Sequence, residues 1–253
     1  MNSLLAIEDA HVRYSRVKAV DGVSLRVDRC EIYGLAGESG SGKSSLARAA
    51  LGLVPVSGGR ILFDGEDVSS APPARRRMVW RRVGVVFQDP MGSLNPRRSV
   101  LSSIGEPLRA WGLARSNADL RAAAGGLLQE VGLDADALDR LPGAFSGGQR
   151  QRIAIARALA LKPDLLIADE PFAALDVSVQ AQVARVFADL ARTRGLALLV
   201  VSHDLALLYH LADRVGVMQH GRLVEEGPAK SVIAAPRHPY TQALAQASAE
   251  PPR

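Results

Sequence analysis

The sequence predicts an α/β domain: a mostly parallel sheet, an antiparallel N-terminal β subdomain and an inserted α-helical subdomain. Three observations lead there. The octapeptide Gly37-Glu38-Ser39-Gly40-Ser41-Gly42-Lys43-Ser44 stands between a short apolar segment, 31–37, and an Ala- and Leu-rich segment, 45–51. Apolar runs at 83–87, 164–168 and 196–201 suit strands covered on both faces. Between 89 and 161 such runs vanish and helical spacing takes over.

Composition bounds the reading. The 253 residues are enough for one large α/β domain. Apolar residues make up 47% and aromatics only 4%, so the core is aliphatic. No apolar run approaches a membrane span, and the segment Met1-Asn2-Ser3-Leu4-Leu5 lacks the basic and long apolar regions of a signal peptide. Cys30 is the only cysteine, which excludes a disulfide framework and an all-cysteine metal site. These features together predict cytosolic residence. A net charge of +5 permits contact with an acidic surface without demanding nucleic acid.

Taken in order, Leu5, Ile7 and Val12, then Val23, Leu25 and Val27, alternate as half-buried antiparallel strands, with Asp21-Gly22 as a turn between two of them. Tyr14 is an isolated aromatic among polar residues. A loop over 55–59 leads to a strand at 60–64, closed by Gly65. A helix over 72–82 carries Arg75, Arg76, Arg77, Arg81 and Arg82 on its exposed face. Without interleaved aromatics beyond Trp80, that run reads as a solvated face, and no nucleic-acid partner is expected. The strand 83–87 delivers Gln88 at its C-terminal end, the edge where open parallel sheets bind ligands.

Helices are expected over 99–111, 117–131 and 147–161, punctuated by Gly92, Pro96, Gly132, Pro142 and Gly143. Further on come strands at 164–168 and 196–201, a helix at 178–194, a helix at 204–213, strands at 214–219 and 222–226, and a small helix opened by Gly227-Pro228. This divides one domain, 1–253, into a core of 1–88 and 162–235, a helical subdomain of 89–161 and a short tail of 236–253.

The octapeptide matches G-x-x-x-x-G-K-[ST] at every fixed position, in the strand–loop–helix context that motif requires. Its glycines let successive N–H groups converge on one anion, and the helix start adds partial positive charge. Lys43 supplies a full charge for β- and γ-phosphates, and the Ser44 hydroxyl can ligate Mg²⁺. A second anion site is expected at Ser146-Gly147-Gly148-Gln149, where Ser146 is a candidate N-cap and two glycines leave amides bare. Asp169 and Glu170 end the strand at 164–168. The first suits Mg²⁺, the second a general base for attacking water. Ser202-His203-Asp204 brings a histidine to the same edge.

Together these residues resemble the ATP-binding subunit of an ABC transporter, a P-loop NTPase with a RecA-like core, over nearly the whole chain. The Walker A loop would be 37–44, the Q-loop glutamine Gln88, the signature 145–149 and the Walker B strand 165–169 with Glu170 beside it. The D-loop would be Ala174-Leu175-Asp176, and the H-loop histidine His203. Two departures are mild: Phe145 replaces the commoner Leu, and Ala174 the usual Ser. The resemblance implies that Tyr14 stacks on adenine. ATP and Mg²⁺ would be held by Gly37, Ser39, Gly40, Gly42, Lys43, Ser44 and Ser45, with Gln88 and Asp169 at the metal. Glu170 would polarise water and His203 hold the γ-phosphate. Ser146, Gly147, Gly148 and Gln149 would serve a nucleotide bound by the opposite subunit of a head-to-tail dimer, and Asp176 of the D-loop would be a further nucleotide-binding position.

The segments 87–96, 145–157, 176–182 and His238-Pro239-Tyr240-Thr241-Gln242-Ala243-Leu244 resemble the peptide/nickel importer ATPases, in the form of the second of their two ATPase subunits. This implies an ATPase that powers import of peptides, nickel or a metal–chelator complex across a bacterial inner membrane. It would act with a second ATPase subunit, two permeases and, indirectly, a substrate-binding protein, as a peripheral protein of the cytoplasmic face. Contact with the permeases is expected near 89–110. With no cysteine near its end, the chain is expected to lack the iron–sulfur cluster of longer relatives. An ATPase-like subunit of the carbon–phosphorus lyase machinery, serving a soluble enzyme complex, is the alternative.

Overall fold

A computed structural model describes residues 3–173 and 175–249. Ala174 of the D-loop and the last four tail residues lie outside them. Two sheets share one helix. The first is antiparallel, in the order β2-β1-β4-β5, from β1 (Ser3–Tyr14), β2 (Val17–Asp28), β4 (Gly58–Phe63) and β5 (Glu66–Asp67). The second, in the order β10-β9-β3-β8-β7-β6, comprises β3 (Ile32–Ala36), β6 (Val83–Val86), β7 (Leu165–Asp169), β8 (Ala197–Ser202), β9 (Arg214–Gln219) and β10 (Arg222–Pro228). Every pairing within it is parallel except β9 with β10.

The parallel strands read as unbroken apolar runs because both faces are covered. Leu165, Ile167, Leu199 and Val201 join one core with the first sheet and α1 (Lys43–Ala50), while Leu166, Ala168, Leu198 and Val200 join the other. Successive side chains on a strand point to opposite faces, so one run feeds both layers. The second core also takes in α4 (Val100–Ala110), α5 (Asn117–Glu130), α6 (Gly147–Ala158) and α7 (Val177–Arg194). Of those helices α4, α5 and α6, with the short α3 (Pro90–Ser93), fill the strand-free interval between β6 and β7, and α7 connects β7 to β8.

The structure corrects one local reading and refines two. Asp21-Gly22 is no turn: both residues lie inside β2, and the chain reverses at Ser15, whose φ is 51°. Gly22 instead marks a register irregularity opposite β1, with φ 76°. The run 227–228 both closes β10 and leads into the expected small helix: Gly227 and Pro228 pair with Val215 and Arg214, and Pro228 is the N-cap of α9 (Ala229–Ala234). The tail from 236 contains an eleven-residue helix, α10 (Pro239–Ala249), which neighbours α8 (Leu205–Leu211) and adds Leu244, Ala245 and Tyr240 to the second core. Its mixture of Gln, Ala and Ser gives no strong apolar face, which is why the sequence reads only as a short tail.

The basic helix is α2 (Pro73–Trp80), and its arginines are engaged rather than merely solvated. Arg75 pairs with Glu66, Arg77 and Arg81 lie over the Trp111 ring, and Arg82 bridges Asp64 and Asp164. No helix among the described residues is long and apolar enough to cross a membrane.

Candidate active site

Strands β3, β7 and β8 end side by side, and a cleft of about 430 Å³ opens above them. That volume falls within the range of small-ligand sites. Ser39, Gly40, Gly42, Lys43, Ser44, Ser45, Gln88 and Glu170 line it. The structure therefore gathers residues from three distant parts of the chain, as the sequence reading expected.

Gly37 and Gly42 are required by close approach as well as by conformation. Gly37 has φ 144° and Gly42 φ 103°, values L side chains rarely adopt. A Cβ at Gly37 would stand 2.3 Å from the Met218 carbonyl oxygen, and one at Gly42 2.2 Å from that of Ala19. Gly40, at φ 82°, meets nothing within 4 Å, so only its conformation matters. The loop thus winds tightly between β2 and β9, and Gly42 caps the start of α1 without a side chain in the way.

Lys43 is nearly inaccessible, at 4% exposure. Its Nζ donates to the carbonyl oxygens of Gly37 (2.7 Å) and Glu38 (2.8 Å) and stands 3.9 Å from Glu170 Oε1. Burial pushes the ammonium below its usual pKa range, while the carboxylates of Glu170, Asp169 and Glu38 pull it back up. A lysine held this way keeps its charge in place before any phosphate arrives.

Next to it, the Ser44 hydroxyl donates to Asp169 Oδ1 at 2.7 Å. Asp169 is buried at the end of β7. A hydroxyl and a carboxylate at this distance form a hard-oxygen pair of the type Mg²⁺ uses alongside phosphate oxygens. The donor set fits Mg²⁺ bound with a nucleotide, and no cluster of three or more His, Cys, Asp or Glu among the described residues offers a separate metal cage.

Glu170 has φ 50°, left-handed backbone for a residue with a Cβ, at a cost of roughly 1–3 kcal/mol. Its N–H donates to the Val201 carbonyl, which pins the turn and aims the carboxylate into the cleft. Glu170 Oε2 lies 2.7 Å from His203 Nδ1. With Nδ1–H donating to Glu170, the ring can donate from Nε2 to a phosphate only if it carries both protons. His203 itself is exposed, outside the cleft wall.

The remaining expected site residues do not join the cleft. Ser146 and Gln149 close a capping box: Ser146 Oγ accepts from the Gln149 N–H (3.3 Å) and Gln149 Oε1 from the Ser146 N–H (2.9 Å). Gly148 has a packing reason, since a Cβ there would stand 2.2 Å from Val179 Cγ1, whereas a Cβ at Gly147 would approach only Leu175, at 3.5 Å. Asp176 is the N-cap residue of α7 but its side chain makes no cap hydrogen bond. Tyr14 ends β1, 42% exposed.

Lys18, Ala19, His220 and Gly221 line the cleft unannounced. The Gly221 N–H donates to the Ser41 carbonyl, and the Asp21 N–H to that of Gly221. The β9–β10 turn, with His220 at φ 48°, thus buttresses the loop from nearly 180 positions away. His220-Gly221 is legible as a turn, but no local signal says what that turn touches.

Comparison with known proteins places these features in context. The family model described as "ABC transporter" matches residues 20–173. The oligopeptide transport ATP-binding protein OppF of Streptococcus mutans is 46% identical over 237 residues, 94% of this chain and 77% of the relative. Among solved structures, cbiO1 of Clostridium perfringens, described as part of the ABC transporter complex cbiONQ, aligns with a TM-score of 0.84 at 28% identity, covering 93% of this chain and 92% of that one. The ATP-binding cassette MJ0796, a dimer bound to ADP and Pi, aligns with a TM-score of 0.81 at 26% identity, over 89% of this chain and 98% of its own.

Proposed function

The chain belongs to the ABC transporter family of ATP-binding proteins, and on that premise we propose that it hydrolyses ATP to drive uptake of peptides through a membrane permease. One observation carries the chemistry: Lys43, Ser44 and Glu170 line one glycine-walled cleft at the sheet edge, with the buried Asp169 bonded to Ser44. The names of the relatives favour peptides over nickel or a metal chelate as cargo.

The loop amides of 39–44 and the Lys43 ammonium would bind the phosphates. Ser44 and Asp169, with Gln88 beside them, would hold Mg²⁺, which when bound offsets phosphate charge. Glu170 would accept a proton from the water attacking the γ-phosphorus as ADP leaves, and His203 would orient Glu170 and meet the phosphate. Tyr14 would stack on adenine. Ser146, Gly147, Gly148, Gln149 and Asp176 are not among the residues lining this chain's own cleft, which supports their serving a second ATPase subunit in a head-to-tail dimer. Two permeases at the cytoplasmic face of the inner membrane would complete the assembly, with contacts near 89–110.

The test is ATPase activity of the reconstituted complex on adding a peptide-loaded binding protein. Stimulated hydrolysis is expected. A flat response rules out coupling to import.

A further inference from the structure

The C-terminal helix reaches the phosphate loop. The Glu38 N–H donates to the Tyr240 hydroxyl oxygen at 2.9 Å, across 202 positions. That N–H belongs to the same peptide unit as the Gly37 carbonyl, which accepts from Lys43 Nζ at 2.7 Å. In a trans peptide the two groups point to opposite sides. One peptide plane of the loop is therefore gripped from within by Lys43 and from without by Tyr240. Gly37, at φ 144°, has no side chain of its own to fix this plane.

The grip itself is anchored. Glu225 on β10 accepts the Arg237 N–H (2.9 Å) and the His238 N–H (3.0 Å) on separate oxygens. His238 Nδ1 in turn accepts the Tyr240 N–H at 3.2 Å. Thr241 is fully buried and Leu244 nearly so. Burial raises the Tyr240 phenol above its usual range, so it meets the loop as a neutral acceptor.

We infer that Tyr240 is a positioning residue for ATP binding: it holds the 37–38 peptide so that the Gly37 carbonyl stays on Lys43 and the ammonium stays aimed into the cleft. This rests on the ATPase reading above. The bond ties α10 to the phosphate loop, so nucleotide affinity depends on whether α10 is docked.

Tyr240→Phe in the full chain removes the hydroxyl and leaves the ring packing. Hydrogen exchange followed by mass spectrometry in the nucleotide-free chain should show the Glu38 amide about 3–10-fold faster, the loss of one hydrogen bond, with α10 amides unchanged. The KM for ATP should rise by a similar factor while kcat stays within about twofold, the signature of lost uniform binding. Leu244→Ala, which loosens α10 itself, should accelerate both Glu38 and α10 exchange and lower the melting temperature. Unchanged Glu38 exchange in Tyr240→Phe overturns the inference, as does faster exchange with an unaltered KM. A wild-type chain that hydrolyses no ATP in any assembly would sink the ATPase reading, while the exchange measurement would still decide whether Tyr240 holds the loop.

Discussion

Two helix N-termini in this chain carry glycine amides next to a hydroxyl residue, and they are built on opposite plans. At the start of α1, groups from β3, β7 and β8 converge, and Lys43 and Ser44 find partners as far away as Asp169 and Glu170. At the start of α6, Ser146 and Gln149 satisfy each other, with no hydrogen bond to another element among the described residues. The first is an assembled pocket; the second is a prepared edge. A helix N-terminus offers the same partial charge in both places. What separates them is whether the fold brings further charge and walls to it.

Variants sharpen that contrast, and the largest effect is expected at Glu170. Glu170→Gln should lower hydrolysis about 10²–10⁴-fold, the usual worth of a general base, while ATP binding survives. Near-normal turnover would move the base role elsewhere, with His203→Ala the next variant to assay. Lys43→Ala should act one step earlier. Removing a buried charge that binds phosphate should weaken ATP binding by the isolated chain roughly 10–100-fold, as read by calorimetric titration.

On the other side of the comparison, Gly148→Ala forces a Cβ onto Val179 and should cost about 1–3 kcal/mol of stability in denaturant titrations. Ser146→Ala, the smallest change, removes one half of the capping box. It should cost about 1 kcal/mol and lower the melting temperature by roughly 2–4 °C. Neither should alter ATP binding by a lone chain, yet both should slow turnover of the dimer. Weakened binding in the isolated Ser146→Ala chain would mean that the two N-termini are not independent.

Most of the sheet core was readable locally. The runs 83–87, 164–168 and 196–201 became β6, β7 and β8 within one or two residues, because a strand covered on both faces admits few polar residues. The glycine loop was readable for a related reason: at Gly37 and Gly42 a positive φ, and a carbonyl oxygen that would stand within 2.3 Å of any Cβ, leave no other residue type. The misread turn at Asp21-Gly22 failed on the same rule turned around. Glycine answers equally to a turn and to an irregularity inside a strand, and only the partner strand β1 tells them apart.

By itself, then, the sequence determined the chemistry and its order: a glycine loop with Lys43 and Ser44, acids at Asp169 and Glu170, a histidine at His203, and a glycine-bearing cap at Ser146. Each is specified by side chains and backbone within a few positions. The tertiary structure alone decided which groups share a cleft. It brought the β9–β10 turn and Lys18 to the loop, bent Glu170 into left-handed backbone to aim its carboxylate, and laid Tyr240 against Glu38. Those contacts join residues up to 202 positions apart, and their register follows from how strands and helices stack, which no local pattern encodes.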